Sequence, residues 1–143
     1  MKKYIILIPI YNDRESLTKL IEKINEEVNG LYAEISVVVI NDASSQQILD
    51  NYSNTKNIDS IEIINMKQNR GHTRCIASGL KYIFEKKEFN YAIPMDGDGE
   101  DRPEEIKNFI QIAEQSDNKS IVGERVKRSE NLFFKICYQF HKI

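Results

Sequence analysis

The stretch "YIILIPIYND", residues 4–13, decides the fold. From Tyr4 to Ile10 no position is polar, so the segment has no face to show to water. A half-exposed strand alternates apolar with polar residues; a continuous short run suits a central strand covered on both faces, as in parallel sheets. Lys2 and Lys3 ahead of the run give a faint echo of a secretion signal. Pro9 and the polar residues from Asn12 cut the run short and no small-residue cleavage site follows, so a buried strand is the reading adopted.

Working outward, "ESLTKLIEKINEEV" (15–28) carries Leu17, Leu20, Ile21, Ile24 and Val28 at helical spacing. "EISVVVIND" (34–42) is a second, β-branched strand, "SSQQILDNY" (44–52) a short helix and "SIEIINM" (60–66) a third strand. "GHTRCIASGLKYIFEKK" (71–87) predicts a helix opening at Gly71, with Ile76, Leu80, Ile83 and Phe84 on its apolar face. "YAIPM" (91–95) is a fourth strand, with Pro94 near its end where a lost ladder bond matters least. "RPEEIKNFIQIAEQS" (102–116) is a helix with Pro103 in its first turn, "SIVGE" (120–124) a short fifth strand and "SENLFFKICYQFHKI" (129–143) a helix. Strands alternating with helices predict an α/β fold: a mostly parallel sheet with helices on both faces, within a single domain over 1–143.

Composition narrows the class. The chain has 143 residues, 41% apolar and 29% charged, with net charge −2, which suits a globular domain and gives no reason to bind nucleic acid. No apolar run is long enough to span a membrane. Cys75 and Cys137 form no CxxC and read as free thiols of a reducing compartment, hence the cytoplasm. The chain stops on an apolar, aromatic segment without a polar tail, which suggests a longer natural protein.

In such folds ligands bind beyond the carboxyl ends of the strands. Those ends read "PIYNDRES", "INDASS", "MKQNRGHTR" and "MDGDGEDRP", all rich in Asn, Asp, Arg and Gly. Each alone is ordinary turn chemistry; four together on one edge make a polar crevice. In the last, Asp96, Asp98 and Glu100 recur at a spacing of two, so in extended backbone they share a side. Carboxylates so close repel, and a divalent cation removes the repulsion; hard oxygen donors suit Mg²⁺ or Mn²⁺, and Mg²⁺ prefers few carboxylates plus substrate phosphates. Asp101, just before Pro103, reads as a helix cap.

Rival readings fail on residues. An EF-hand beginning at Asp96 needs Gly at 101 and Glu at 107, where Asp101 and Lys107 stand. An aspartyl-nucleophile phosphatase would carry its DxD early, with Thr or Val in place of Glu100. His72 and His141 pair with no cysteine at zinc spacing. GxxxxGK[ST] and GxGxxG are both absent. Gly71 nonetheless opens a helix, whose N-terminus attracts anions, with Arg70, His72 and Arg74 around it.

"IPIYNDRESL", "VVVINDASS", "NRGHTRCIASGL", "MDGDGEDRPEEI" and "VGERVKRSE", in that order, resemble the family 2 glycosyltransferases of GT-A (Rossmann-like) fold, above all the dolichol-phosphate and polyprenyl-phosphate sugar transferases. The resemblance spans essentially the whole chain and implies the nucleotide-binding part of a longer catalytic domain. It implies that Pro9, Tyr11 and Asp13 flank the nucleobase and ribose, that Asp42 holds the base, and that Asn12 and Asn41 belong to the same nucleotide-sugar site. Asn69, Gly71, His72 and Arg74 fall near the diphosphate. Asp96 and Asp98 match the metal-binding DxD carboxylates, Glu100 a third ligand, and Arg125 and Arg128 a basic segment meeting donor or acceptor phosphate. Four departures stand out: Asp13 for a usual Glu, Asn41 before Asp42 where aspartates often pair, His72 for a frequent Lys, and Glu100 for a frequent Gln.

The implied reaction moves a sugar, with inversion, from a UDP- or GDP-linked donor to an acceptor, a lipid phosphate among the options. The basic, aromatic segment from Glu124 onward offers contact with a membrane surface, at its cytoplasmic face. The alternatives are a nucleotidyltransferase, against which the Gly-free loop after the first strand counts, and a non-catalytic nucleotide-binding module.

Overall fold

A computed structural model of the chain describes residues 1–48, 52, 54–116 and 119–123. Four strands form one sheet in the order β3-β2-β1-β4: β1 Lys3–Ile10, β2 Glu34–Asn41, β3 Ser60–Asn65 and β4 Tyr91–Pro94. Every pairing is parallel. β1 is flanked on both sides, with Lys3 to Ile10 opposite Glu34 to Asn41 of β2, and Tyr4 to Leu7 opposite Tyr91 to Pro94 of β4. Its residues Tyr4 to Ile10 are all buried, as the unbroken apolar run requires.

Alternation along β1 feeds two apolar layers. Ile6, Ile8 and Ile10 join Val37 and Val39 under helices α1 (Arg14–Glu27) and α3 (Ile106–Gln115), which contribute Leu17, Ile21, Ile24, Ile106 and Ile110. Ile5 and Leu7 join Val38 and Ile40 under helix α2 (His72–Lys86), which contributes Cys75 and Ile83. The chain therefore runs outward from β1 to β3 with α1 on one face, then returns by α2 across the other face to β4. That reversal between β1 and β4 is where open α/β sheets leave a crevice. At the opposite edge, Tyr4 stacks on Tyr91 with ring centroids 5.6 Å apart, and the Tyr91 hydroxyl donates to the Ser116 carbonyl at 2.6 Å, tying down the end of α3.

The first, second, third and fourth strands and the first helix match expectation to within a residue or two. Four expectations need correction. The buried stripe of α2 is Cys75, Gly79 and Ile83; Leu80 is 39% exposed and Phe84 80% exposed. Periodicity assigned the bulkiest residues inward, but Leu7 and Ile40 of the sheet already fill that space, so the helix presents its small side. A Cβ on Gly79 would lie 2.5 Å from Leu7 Cδ1 and 2.7 Å from Ile40 Cγ1. Residues 44–48 form no helix, because Ser44, Ser45 and Gln46 bond sideways to Asn12, Arg14 and Asn41; residues 49–51 of the expected helix lie outside the described residues. Residues 120–123 join no strand; Gly123 lies instead against the Phe109 ring. The last described helix opens with a 3₁₀ turn, Pro103–Glu105, before α3, and its cap residue is Arg102 rather than Asp101. The expected helix at 129–143, with Arg125 and Arg128, lies outside the described residues, as does Cys137.

Cys75 is free and 1% exposed. Burial, and then the negative charge of Asp42, pushes its thiol up to about 11, so it stays protonated and unreactive at neutral pH.

Gly79→Ala should destabilise the fold by about 1–3 kcal/mol through overpacking against Leu7 and Ile40. Urea unfolding of the variant beside the wild type measures it, and an unchanged midpoint would mean that the helix can back away freely.

Candidate functional site

The polar strand ends gather on one edge and are bonded to one another in a chain of contacts. Beyond β1 and β2, the Asn12 amide N–H donates to Ser44 Oγ at 2.8 Å, and Asn12 Oδ1 accepts from the Ser45 amide at 2.8 Å. Between β2 and β3, Asn41 Nδ2 donates to Asn65 Oδ1 at 2.7 Å. Asp42, 3% exposed, spends both carboxylate oxygens on the loop that opens α2: Oδ1 accepts from the Arg70 amide at 2.8 Å and Oδ2 from the Gly71 amide at 2.9 Å. Gly71 sits at φ 84°, in the left-handed region glycine favours, and caps the helix without a side chain. His72 Nε2 then reaches Asp96 Oδ1 at 3.2 Å, joining the start of α2 to the loop after β4. Gly97 closes the circuit on β1: a Cβ there would meet the Pro9 carbonyl oxygen at 2.8 Å.

The acidic loop is a turn, not the extended segment its spacing implied. Asp98 Oδ1 accepts from the Glu100 amide at 2.9 Å, and Gly99 has φ 84°. The alternation that was to align Asp96, Asp98 and Glu100 is therefore lost, and Asp98 and Glu100 are exposed while Asp96 is half-buried. Asp101, expected to cap the next helix, turns back instead: its Oδ2 accepts from the Asp96 amide at 2.8 Å. Among the described residues no three His, Cys, Asp or Glu side chains are arranged to hold a metal ion.

Burial holds the Asp96 carboxyl above its usual range; His72 opposes this, while Asp101, Asp98 and Glu100 add repulsion. This negative charge, only partly offset by His72, fits a hard cation that takes one or two carboxylates and completes its shell with substrate oxygens. Opposite it, the first-turn N–H groups of α2 lack intrahelical partners, and Arg70 and Arg74 are exposed beside them.

Of the remaining candidates, Tyr11 is 53% exposed and offers its ring, whereas Pro9 is buried. Asp13 caps α1, accepting from the Ser16 amide at 3.2 Å. Asn69 Oδ1 accepts from the Gly71 amide at 3.2 Å. Sequence reasoning missed the partners that shape these loops: Ser44, Ser45, Gln46 and Asn65. The only signal was a cluster of short polar residues straight after a strand, the pattern of side-chain-to-backbone turns. A depression of 170 Å³ lies at the other end of the strands, lined by Lys3, Glu34, Glu62 and Lys87 among others. Its charges neutralise one another, with Lys87 Nζ 2.5 Å from Glu62 and Lys3 Nζ 3.7 Å from Glu88, and it contains no candidate site residue.

A family model described as Glycosyl transferase family 2 matches residues 5–139. The chain belongs to glycosyl transferase family 2. This family 2 chain is 27% identical over 135 residues to an undecaprenyl-phosphate 4-deoxy-4-formamido-L-arabinose transferase of Proteus mirabilis, covering 94% of the chain and 40% of that relative. It is 31% identical over 139 residues to the transferase of the same name from Photorhabdus laumondii, covering 94% and 41%. The chain thus spans about two fifths of the length of the curated relatives it matches. Among solved structures, residues 1–349 of S. aureus TarS in complex with UDP-GlcNAc superpose with a TM-score of 0.64 at 22% identity, over 89% of this chain and 37% of that one. That likeness shows the fold, the GT-A arrangement expected from the sequence.

The raised Asp96 pKa carries a sign. A carboxyl whose folded pKa lies above its unfolded value of 3.8 favours the folded state when protonated, and that contribution is lost as pH rises through the folded pKa. Asp96→Asn should therefore melt above wild type at pH 7 in EDTA, with the gap closing below pH 3.8. Thermal unfolding across pH reads this out; a destabilised variant at pH 7 would mean that the His72 contact outweighs burial.

Proposed function

We propose that this chain is the donor-binding part of a metal-dependent, inverting glycosyltransferase that uses a UDP-linked sugar and passes it to a polyprenyl phosphate. The observation that carries the reading is the 3.2 Å contact from His72 to Asp96, which sets the positive end of α2 against the acidic loop at the reversal between β1 and β4. A diphosphate fits there, its oxygens facing the first-turn amides of α2 and the Arg70 and Arg74 guanidiniums. Asp96 and Asp98 would hold Mg²⁺ or Mn²⁺, with Glu100 at the rim of the same turn. When bound, the cation would neutralise charge on the leaving diphosphate.

The chain's own residues do the positioning. Asp42 holds the loop from Arg70 to Gly71 in place, and a carboxylate has lone pairs to spare for a base N–H. Tyr11 supplies an exposed ring for the base to stack on. His72 can donate to the diphosphate or to Asp96. An acceptor phosphate is anionic already and needs little help from a general base to attack the anomeric carbon. Uridine is favoured because the TarS structures include complexes with UDP and UDP-GlcNAc, and the lipid acceptor because the curated relatives are undecaprenyl-phosphate transferases.

Calorimetry with UDP and with GDP, each with and without Mn²⁺, tests this. UDP should bind at least about tenfold more tightly with metal, the scale of one recruited charge contact. Asp98→Ala should remove the metal-dependent part. Asp101→Ala should cost about 1.5–3 kcal/mol of stability, the scale of losing a hydrogen bond to a charged group, and weaken metal-dependent binding less than Asp98→Ala does. Metal-independent binding would favour a non-catalytic module, and no binding of either nucleotide would sink the reading.

A further inference from the structure

Asn12 lies between the end of β1 and the Asp13 cap of α1. Its φ is 51°, in the left-handed region, which few residues other than glycine tolerate but Asn and Asp do. Its side-chain oxygen takes three donors from one neighbouring loop: the Ser45 amide at 2.8 Å, the Ser45 hydroxyl at 3.0 Å and the Gln46 amide at 3.3 Å. Its own amide donates to Ser44 Oγ at 2.8 Å, and the Arg14 amide donates to Gln46 Oε1 at 3.3 Å. Ser44 is held from the other side as well, its amide donating to Asn41 Oδ1 at 3.0 Å. Ala43, where this loop leaves β2, has φ 58°.

We infer that Asn12 is a positioning residue: its side-chain oxygen clamps the Ser44–Gln46 loop onto the end of β1 and so shapes the nucleobase end of the donor site. This rests on the donor-site reading above. The two ends of the site fall on opposite sides of β1. Asp96 lies beyond β4 on one side, and the clamp lies beyond β1 and β2 on the other, next to the exposed Tyr11 ring. A nucleotide with its diphosphate near His72 and Asp96 has its base above the clamped loops. The oxygen of Asn12 is already saturated by loop donors, so the residue acts through the loop.

Two variants separate backbone from side chain. Asn12→Gly accepts the positive φ but removes the clamp; Asn12→Asp keeps both φ tolerance and the accepting oxygen. Amide hydrogen exchange on the full chain, with UDP affinity by calorimetry, reads each. In Asn12→Gly the Ser45 and Gln46 amides should exchange at least about tenfold faster while strand amides such as Ile6 and Val38 stay protected, and UDP should bind about tenfold more weakly, the scale of one to two lost hydrogen bonds. Asn12→Asp should rescue the exchange protection.

Faster exchange with unchanged UDP affinity would overturn the proposal, and so would weaker UDP binding with unchanged exchange, which would mark a direct contact. Loss of protection in Asn12→Asp equal to that in Asn12→Gly would overturn the role of the oxygen. If Asn12→Gly fails to fold, the exchange at Ser45 and Gln46 in Asn12→Asp decides alone. Wild-type chain that binds neither UDP nor GDP would refute the donor reading itself, whereas intact wild-type binding with an indifferent Asn12→Gly refutes only the clamp.

Discussion

Burial of β1 on both faces and both edges is the constraint on which the rest depends. A strand paired on each side and covered above and below has no polar option, and Tyr4 to Ile10 meet that demand. Because odd and even positions feed different helix layers, α1 and α3 must lie on one face and α2 on the other. Because β1 has parallel neighbours on both sides, the chain must reverse its progress across the sheet, and the crevice opens where it does. Where the site lies is thus a consequence of packing before it is a matter of chemistry.

At that crevice the molecule balances two kinds of polar burial. Asn41 and Asp42, both under 10% exposed, are nearly withdrawn from water yet hydrogen-bonded: each bonds across to a neighbouring segment. Such satisfied groups cost little and impose geometry. Asp96 is the opposite case. It is half-buried among three other carboxylates, and His72 offsets them only partly. A local conflict left standing at one place in an otherwise consistent fold marks where function is expected.

Much of the fold was legible. The strands, the first helix and the alternation of the two element types follow from periods of two and of 3.6, which any buried face must obey. The polar strand ends were legible too, because they contrast with the apolar runs before them. The misreadings share a cause: each assumed that a residue's neighbours in sequence decide its partners. Ser44 to Gln46 have helix-compatible neighbours, but the Ser45 and Gln46 amides donate to Asn12 Oδ1, and Ser44 Oγ accepts from the Asn12 amide, more than 30 positions away. Phe84 and Leu80 look like a core stripe until Leu7 and Ile40 occupy the space. Asp96, Asp98 and Glu100 align only if the backbone stays extended, and Gly99 turns it.

The sequence by itself determined the four strands and the main helices, the parallel α/β class, the residues available at the crevice and the family, since all of these are written in local periodicity and in motif order. Only the tertiary structure decided which small face of α2 meets the sheet, that Asp42 braces a loop, that Asp101 turns back to Asp96, and that Asn12 spans two strand ends. Those are contacts between distant positions, set by how much space neighbouring elements leave and by which donors lack an acceptor once the chain is packed.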